Sequence, residues 1–310
     1  MNIQQLEYII AVDTYRHFAK AADTCFVTQP TLSMMIQKLE EELNLKLFDR
    51  KQKPIIPTRE GEEIIKRAKI IIADIDRLKD FATECKGEIS GELHLGIIPT
   101  LAPYLLPLFL TSFTKKFPAL KIFIKEMITD DILTKLKSGE LDMGLLATPT
   151  SDKQVTDYPL FYEEFYAYAS KNEMLSKKKY LLPSEIDVTH LWLLEEGHCL
   201  RSQIYNLCEL KKGTAGSENL QYEAGSIETL INLVDKYQGI TIIPQLAVMN
   251  LKPQQKKNIR EFANPKPVRE ISLVVTKNFA RIKLLESFQQ EIKSKIPLEL
   301  KVKNKLVVEI

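Results

Sequence analysis

Apolar residues recur at helical spacing through the first fifty positions. Leu6, Ile9, Ile10 and Val12 line a first amphipathic helix, and Phe18, Ala19 and Ala22 fit a second, short one whose small residues admit a close neighbour. After the turn Cys25-Phe26-Val27, Thr28 is a suitable N-cap and Pro30 is tolerated in a first helical turn. Leu32, Met35, Ile36, Leu39 and Leu43 then form the buried stripe of a third helix. Its other face carries Gln29, Thr31, Ser33, Met34, Gln37 and Lys38, and Asn44 follows where a left-handed residue is wanted. Two helices about a short turn, the second polar on its exposed side, is the pattern of helix-turn-helix DNA readers; a plain three-helix bundle is the alternative. The segment from Lys51 to Thr58 predicts a short hairpin wing.

From Thr58 to Lys86 the period becomes that of a long helix. Ile64, Ala68, Ile71, Ile75, Leu78, Ala82 and Cys85 are spaced 4, 3, 4, 3, 4 and 3, one apolar seam along about 40 Å. That length exceeds what a small headpiece needs, so the seam predicts dimerisation, with packing inside one chain as the alternative. Gly87 to Gly91 breaks the helix and reads as a hinge. Strands then alternate with helices: strands at Leu93–Ile98, Lys121–Ile124, Leu141–Ala147, Leu191–Leu194, Gln221–Ala224, Ile240–Pro244 and Ile271–Val275, and helices near Leu105–Lys116, Asp131–Lys137, after Leu200, from Ser226 and at Phe279–Lys293. This alternation predicts mostly parallel α/β sheets, and about 220 residues suffice for two subdomains around a cleft. Lys301 to Ile310 reads as an appended tail.

Composition narrows the function. With 45% hydrophobic and 27% charged residues the chain is globular rather than disordered. No apolar run reaches the roughly 20 residues of a membrane span and the first residues lack an export signal, so a cytoplasmic protein is expected. A net charge of +2 does not by itself announce nucleic acid. Local clustering does more: Lys46, Arg50, Lys51, Lys53 and Arg59 fall within fourteen residues, with Asp49 as the only acid. Wing cations suit phosphates, whereas glutamine, serine, threonine and lysine suit base edges. No Ser/His/Asp order, phosphate loop or dinucleotide fingerprint is present, so neither an enzyme nor an organic cofactor is expected.

Phe18-Ala19-Lys20-Ala21-Ala22, Thr28-Gln29-Pro30-Thr31-Leu32-Ser33, Ile36, Lys38-Leu39-Glu40, Leu43 and Leu47-Phe48-Asp49-Arg50 resemble the LysR family of bacterial transcription regulators. Asn44 stands where the family has glycine, and Met34-Met35 replace smaller or polar residues. The resemblance implies a winged helix-turn-helix over residues 1–58, a dimerising linker helix and hinge over 59–90, and a regulatory domain over 91–300 similar to periplasmic binding proteins. Its subdomain I would hold about 91–161 and 267–300, and subdomain II about 162–266. The implied DNA-contacting residues are Thr28, Gln29, Pro30, Thr31, Ser33, Met34, Gln37, Lys38, Arg50, Lys51 and Lys53. The implied partners are double-stranded DNA at palindromic promoter sites, RNA polymerase, and further copies of the chain as a dimer or tetramer.

A narrower resemblance is to the peroxide-sensing branch of that family, carried by Gly96-Ile97-Ile98-Pro99-Thr100, Pro103-Tyr104-Leu105-Leu106-Pro107 and Leu193 to Arg201 with Cys208 beyond. It implies that Cys199 meets hydrogen peroxide and Cys208 resolves the product, with His198, Arg201, Thr100, Thr129 and Arg269 around the site. A helix N-terminus and a cation such as Arg201 are expected to favour the Cys199 thiolate. If residues 199 to 208 form one helix, the thiols stand about 13 Å apart along its axis, whereas a disulfide needs Cα atoms within about 7 Å. Bond formation would therefore repack the segment. The residues alone leave inert core cysteines open, and a regulator binding a small metabolite in the cleft is the competing reading. Cys25 is expected to be buried and Cys85 to lie on the seam. No metal is expected, because His198 and the cysteines match no common zinc spacing.

Overall fold

The computed structural model describes residues 1–170, 178, 180–186, 188–208, 224–301 and 306–307. It divides into two compact units, residues 1–88 with 137–140, and residues 89–136 with 141–310.

The first unit begins with α1 (Ile3–Tyr15), α2 (Phe18–Thr24) and α3 (Gln29–Leu43). Asn2 and Gln5 make a reciprocal capping box on α1, and the Thr28 hydroxyl accepts from the Thr31 N–H at the start of α3. Asn44 ends α3 at φ 51, the left-handed cap expected of it. Leu32, Ile36 and Leu39 close the core against Ile9, Val12, Phe18, Ala21 and Ala22. Ala21, rather than the expected Ala19, faces inward on α2.

The wing starts earlier than its sequence suggests. Strand β1 (Phe48–Asp49) precedes Lys51 and pairs antiparallel with β2 (Ile56–Pro57), leaving Lys51 and Lys53 in the connecting turn. Thr58 then caps α4 (Arg59–Cys85), donating its hydroxyl to Lys46 O at 2.6 Å and accepting from Gly61 N at 3.0 Å. Gly61 is required here: a Cβ would stand 2.0 Å from Leu47 O. Ile65 and Ala68 of α4 join the headpiece core, whereas Ile71, Leu78 and Phe81 are exposed.

The second unit contains β3 (Gly91–Ile97), α5 (Ala102–Lys116), β4 (Leu120–Glu126), α6 (Thr129–Lys137), β5 (Met143–Thr148), β6 (Val155–Ala169) and β7 (Tyr180–Leu181). These are followed by α7 (Cys199–Leu207), α8 (Ile227–Tyr237), β8 (Ile240–Pro244), α9 (Gln245–Met249), β9 (Ile259–Phe262), β10 (Pro267–Thr276), α10 (Ile282–Lys295) and β11 (Leu306–Val307). Among the described residues the sheet order is β4-β3-β5-β10-β6-β9-β7, with β11 beside β10 and β8 beside β6. β3 runs parallel to β4 and β5, but β10 is antiparallel to β5 and β6, and β6 to β8 and β9. The sheet is therefore mixed, not mostly parallel.

The correction comes from β6, which sequence reading did not find. Pro159 and the pair Glu163-Glu164 interrupt the alternation that marks a strand. Proline lacks the N–H of a ladder bond, and the opposing strand shifts register between Ile271 and Ser272 where Pro159 passes. The first part of β6 pairs with β10, and its end pairs with β8 and β9, so one strand serves both halves of the sheet. Leu191 and Leu194 make isolated bridges to Ile240 and Ala224 rather than the strand expected there. Gln221 to Glu223 of another expected strand, and most of the tail, lie outside the described residues. The tail's Leu306–Val307 pairs parallel with Pro267–Val268.

Two glycines set the position of α6. A Cβ on Gly96 would come 3.1 Å from Ile132 Cγ1, and one on Gly144 would come 2.6 Å from Ile132 Cγ2. Ile132 of α6 thus packs directly on strand backbone, which fixes Thr129 at the helix start near the end of β5.

Candidate functional site

Cys199 is the first residue of α7. Gly197, at φ +92, turns the chain into the helix, and His198 is its N-cap without a side-chain cap bond. The thiol is buried. Four groups act on its sulfur to favour the thiolate: the Arg269 charge from β10, the Thr129 hydroxyl from α6, and the backbones of Leu200 and Ala147. Burial outweighs them and pushes the thiol above its ordinary value.

Arg269 and Glu163 are both wholly buried. Arg269 Nε donates to Glu163 Oε1 at 2.8 Å, and Nη2 lies 2.8 Å from the same oxygen. Arg269 Nη1 donates to Thr100 Oγ1 at 3.0 Å, and Nη2 to Thr100 O at 3.4 Å. Glu163 Oε2 accepts from Leu246 N at 3.1 Å, the N-terminal turn of α9. The Thr129 hydroxyl is buried and makes no hydrogen bond within normal reach. Thr100 and Thr129 thus approach this centre from opposite partners, one through Arg269 and one at the sulfur.

Arg201 is held by the chain leading into α7. Its Nη1 donates to Leu194 O at 2.9 Å and its guanidinium lies 5.8 Å from the Tyr205 ring, so it braces the approach to α7. The cation acting on Cys199 is Arg269, whose sequence surroundings matched only loosely. His198 is buried with Nε2 3.5 Å from Glu195 Oε1. Glu163 was missed because it lies in the unread strand β6; an acid pair in an otherwise apolar stretch was the available signal.

Cys208 caps the other end of α7, its N–H donating to Ile204 O at 3.0 Å. It is buried, and burial alone pushes its thiol up to about 12. Both cysteines are free thiols at opposite ends of an intact nine-residue helix whose inward face is Leu200, Gln203 and Ile204. Cys25 is half-buried, less than expected, and Cys85 is exposed. No cluster of potential metal ligands occurs among the described residues, and no helix among them is long and apolar enough to cross a membrane.

The headpiece offers a second candidate surface. Gln29, Pro30, Thr31, Met34, Gln37 and Lys38 are exposed along the start and outer face of α3, with Thr28 exposed at its cap and Ser33 half-buried. Gln37 Nε2 donates to Glu41 Oε1 at 2.9 Å. Lys51 and Lys53 are exposed on the wing. Arg50 is used internally: Nη1 donates to Ser33 Oγ at 3.1 Å, Nη2 to Glu40 Oε2 at 3.2 Å, and its guanidinium stacks 5.1 Å from the Phe18 ring. Glu40, buried and overlooked in the sequence, also accepts from Leu47 N at 2.8 Å and so ties the wing to α3.

These features match known proteins along almost the whole chain. Residues 3–62 match the bacterial regulatory helix-turn-helix protein, lysR family, and residues 86–297 match the LysR substrate binding domain. The hydrogen peroxide-inducible genes activator of Haemophilus influenzae is 36% identical over 88% of this chain and 90% of its own length. The DNA-binding transcriptional dual regulator OxyR of Escherichia coli is 35% identical over 88% and 89%. A full-length OxyR variant from Pseudomonas aeruginosa superposes with a TM-score of 0.75 at 28% identity, covering 96% of this chain and 99% of that one. A hydrogen peroxide-bound OxyR variant from Corynebacterium glutamicum gives 0.63 at 27% identity, covering 95% and 92%. With both modules matched in order and relatives this similar end to end, the chain belongs to the LysR family of bacterial transcription regulators.

Proposed function

We propose that this chain is a hydrogen peroxide-sensing, DNA-binding activator of oxidative-stress genes, switched by a reversible Cys199–Cys208 disulfide. The observation that carries the reading is a buried thiol at a helix start beside a buried arginine and an unsatisfied threonine hydroxyl, with a second buried thiol at the far end of the same helix. The names of the relatives point the same way, and one solved relative is described as holding peroxide.

The chemistry follows from these groups. The Cys199 thiol gives up its proton and the sulfur attacks one peroxide oxygen; the O–O bond breaks, an S–O bond forms, and the other oxygen leaves as water with that proton. Thr129 and Thr100 supply hydroxyls that orient the peroxide, and Arg269 favours the anionic sulfur and the departing oxygen. Cys208 sulfur then attacks the sulfenic sulfur of Cys199, the S–O bond breaks, and the Cys208 proton leaves with it as a second water. Two thiols lose two electrons and one peroxide gains them. A thiol reductant must return them, so peroxide loss is stoichiometric without one and the chain acts as a switch, not an enzyme.

The helix supplies the conformational change. About 13 Å along α7 exceeds the span of a disulfide, so the bond forms only with α7 at least partly unwound. Unwinding exposes Leu200 and Ile204, at about 1.5–3 kcal/mol each, which the covalent bond offsets. On the DNA side, Thr28, Gln29, Thr31, Ser33, Met34, Gln37 and Lys38 reach base edges while Pro30 shapes the turn, and Lys51 and Lys53 hold phosphates. Arg50 orients Ser33 and the wing. The exposed seam of α4 joins two chains, spacing two α3 helices for a palindromic site; tetramers, RNA polymerase contact and a cytoplasmic setting complete the reading.

Thiol mass mapping and DNA footprinting on the same samples, before and after a brief low dose of peroxide, test it. The expected result is a Cys199–Cys208 disulfide together with a changed footprint, both abolished in Cys199→Ser. A footprint that shifts while both thiols stay free would favour a metabolite regulator instead.

A further inference from the structure

Arg269 is the group whose charge reaches Cys199, yet it is not a lone charge. Its Nε and Nη2 both meet the Glu163 carboxylate at 2.8 Å, and both residues are wholly buried, so the pair is close to neutral seen from outside. A nearby opposite charge subtracts from the field of the first, and in a poorly screened interior the subtraction is large. Arg269 is also held by two hydrogen bonds to Thr100, so its position does not depend on the charge of Glu163 alone.

We propose that Glu163 is a positioning residue and counter-charge, holding Arg269 against Thr100 while damping the attraction of its guanidinium for the Cys199 sulfur. The inference rests on the reading of Cys199 as the sensing thiol. It accounts for a cysteine raised above its ordinary value although an arginine acts on it: burial opposes the thiolate most, and the cation that would relieve this is paired with a carboxylate. The charged and titratable groups on the elements that supply this centre are Arg269 on β10, Glu163 on β6, Tyr104 on α5 bonded to Glu228 on α8, His198 at the start of α7, and Asp130 in the first turn of α6. Arg269 is the one among them with a leading effect on the thiol, so its counter-ion is the place where that effect is set.

The experiment is the pH dependence of iodoacetamide alkylation of Cys199 in the reduced full chain, read by peptide mass spectrometry. Glu163→Gln keeps an acceptor for Arg269 and deletes the charge. The alkylation midpoint is expected to fall by about one pH unit, giving about ten-fold faster alkylation below the parent midpoint. Glu163→Asp, which loosens the pair without removing it, should move the midpoint the same way by less. Near-UV circular dichroism establishes that each variant is folded. A midpoint unchanged or raised in folded Glu163→Gln overturns the proposal; should that variant not fold, an unmoved midpoint in Glu163→Asp does so. Peroxide plays no part in this assay. If peroxide leaves Cys199 free, the functional reading fails; if it oxidises Cys199 but the midpoint ignores Glu163, only this inference fails.

Discussion

Cys199 is pulled in two directions, and its partner Cys208 in only one. Burial raises both thiols, but Arg269, Thr129 and two backbone groups oppose it at Cys199, while nothing comparable opposes it at Cys208. That difference assigns the attacking role to the first and the resolving role to the second in the proposed reaction. It also has a consequence for stability. An acid whose value in the fold lies above its ordinary value keeps its proton longer when folded, so its contribution is intact below about 9 and is lost as pH rises toward about 12. Chemical denaturation of the reduced chain should therefore show the parent losing about 2 kcal/mol relative to Cys208→Ala between about pH 8.5 and about pH 10.5. Parallel losses in the two proteins would mean that Cys208 is not held as a thiol by the fold. At this scale the two cysteines and Thr100 were legible through their flanking residues, and both Arg201 and Arg269 were expected near the thiol. Arg201 is near in the chain and points to Leu194; Arg269 is remote and reaches the sulfur, a relation made by the sheet and invisible in local spacing.

Among elements, α7 is the one that must change. Its hold on the regulatory unit is a short apolar face, with Leu200 and Ile204 fully buried. Truncating Ile204 should weaken that hold by at least about 2 kcal/mol and lower the cost of opening. Ile204→Ala is thus expected to form the disulfide faster and to shift its midpoint potential about 40 mV more negative in glutathione titrations, since about 30 mV corresponds to about 1.4 kcal/mol. An unchanged or more positive potential would mean that α7 stays packed in the oxidised form. Helices α3, α4 and α8 were legible because each has a polar residue at its start: Thr28 caps as read, and Thr58 and Ser226, from which helices were expected, cap the other two. Strand β6 was not. Pro159 and the acid pair break the strand pattern until β10 supplies a register shift and α9 supplies Leu246 N–H for the Glu163 carboxylate and Gln245 Oε1 for the Glu164 N–H.

At the scale of the molecule, a helix-turn-helix headpiece and a sheet-based regulatory unit are joined in one chain, and the proposed function requires that the second inform the first. The order of these parts was readable from the changes in apolar period, because each change marks a different way of burying a face. The mixed sheet was not, since strand direction depends on which distant segments meet. What the whole account needs is that oxidation dismantles a helix. Hydrogen exchange of the α7 amides, Leu200 to Leu207, in the full chain before and after one equivalent of peroxide measures this directly. The account predicts slow exchange in the reduced protein and at least about 100-fold faster exchange over this segment once the disulfide has formed, equivalent to about 2.7 kcal/mol of lost protection. A Cys199–Cys208 disulfide present by mass, with α7 protection unchanged, would contradict it.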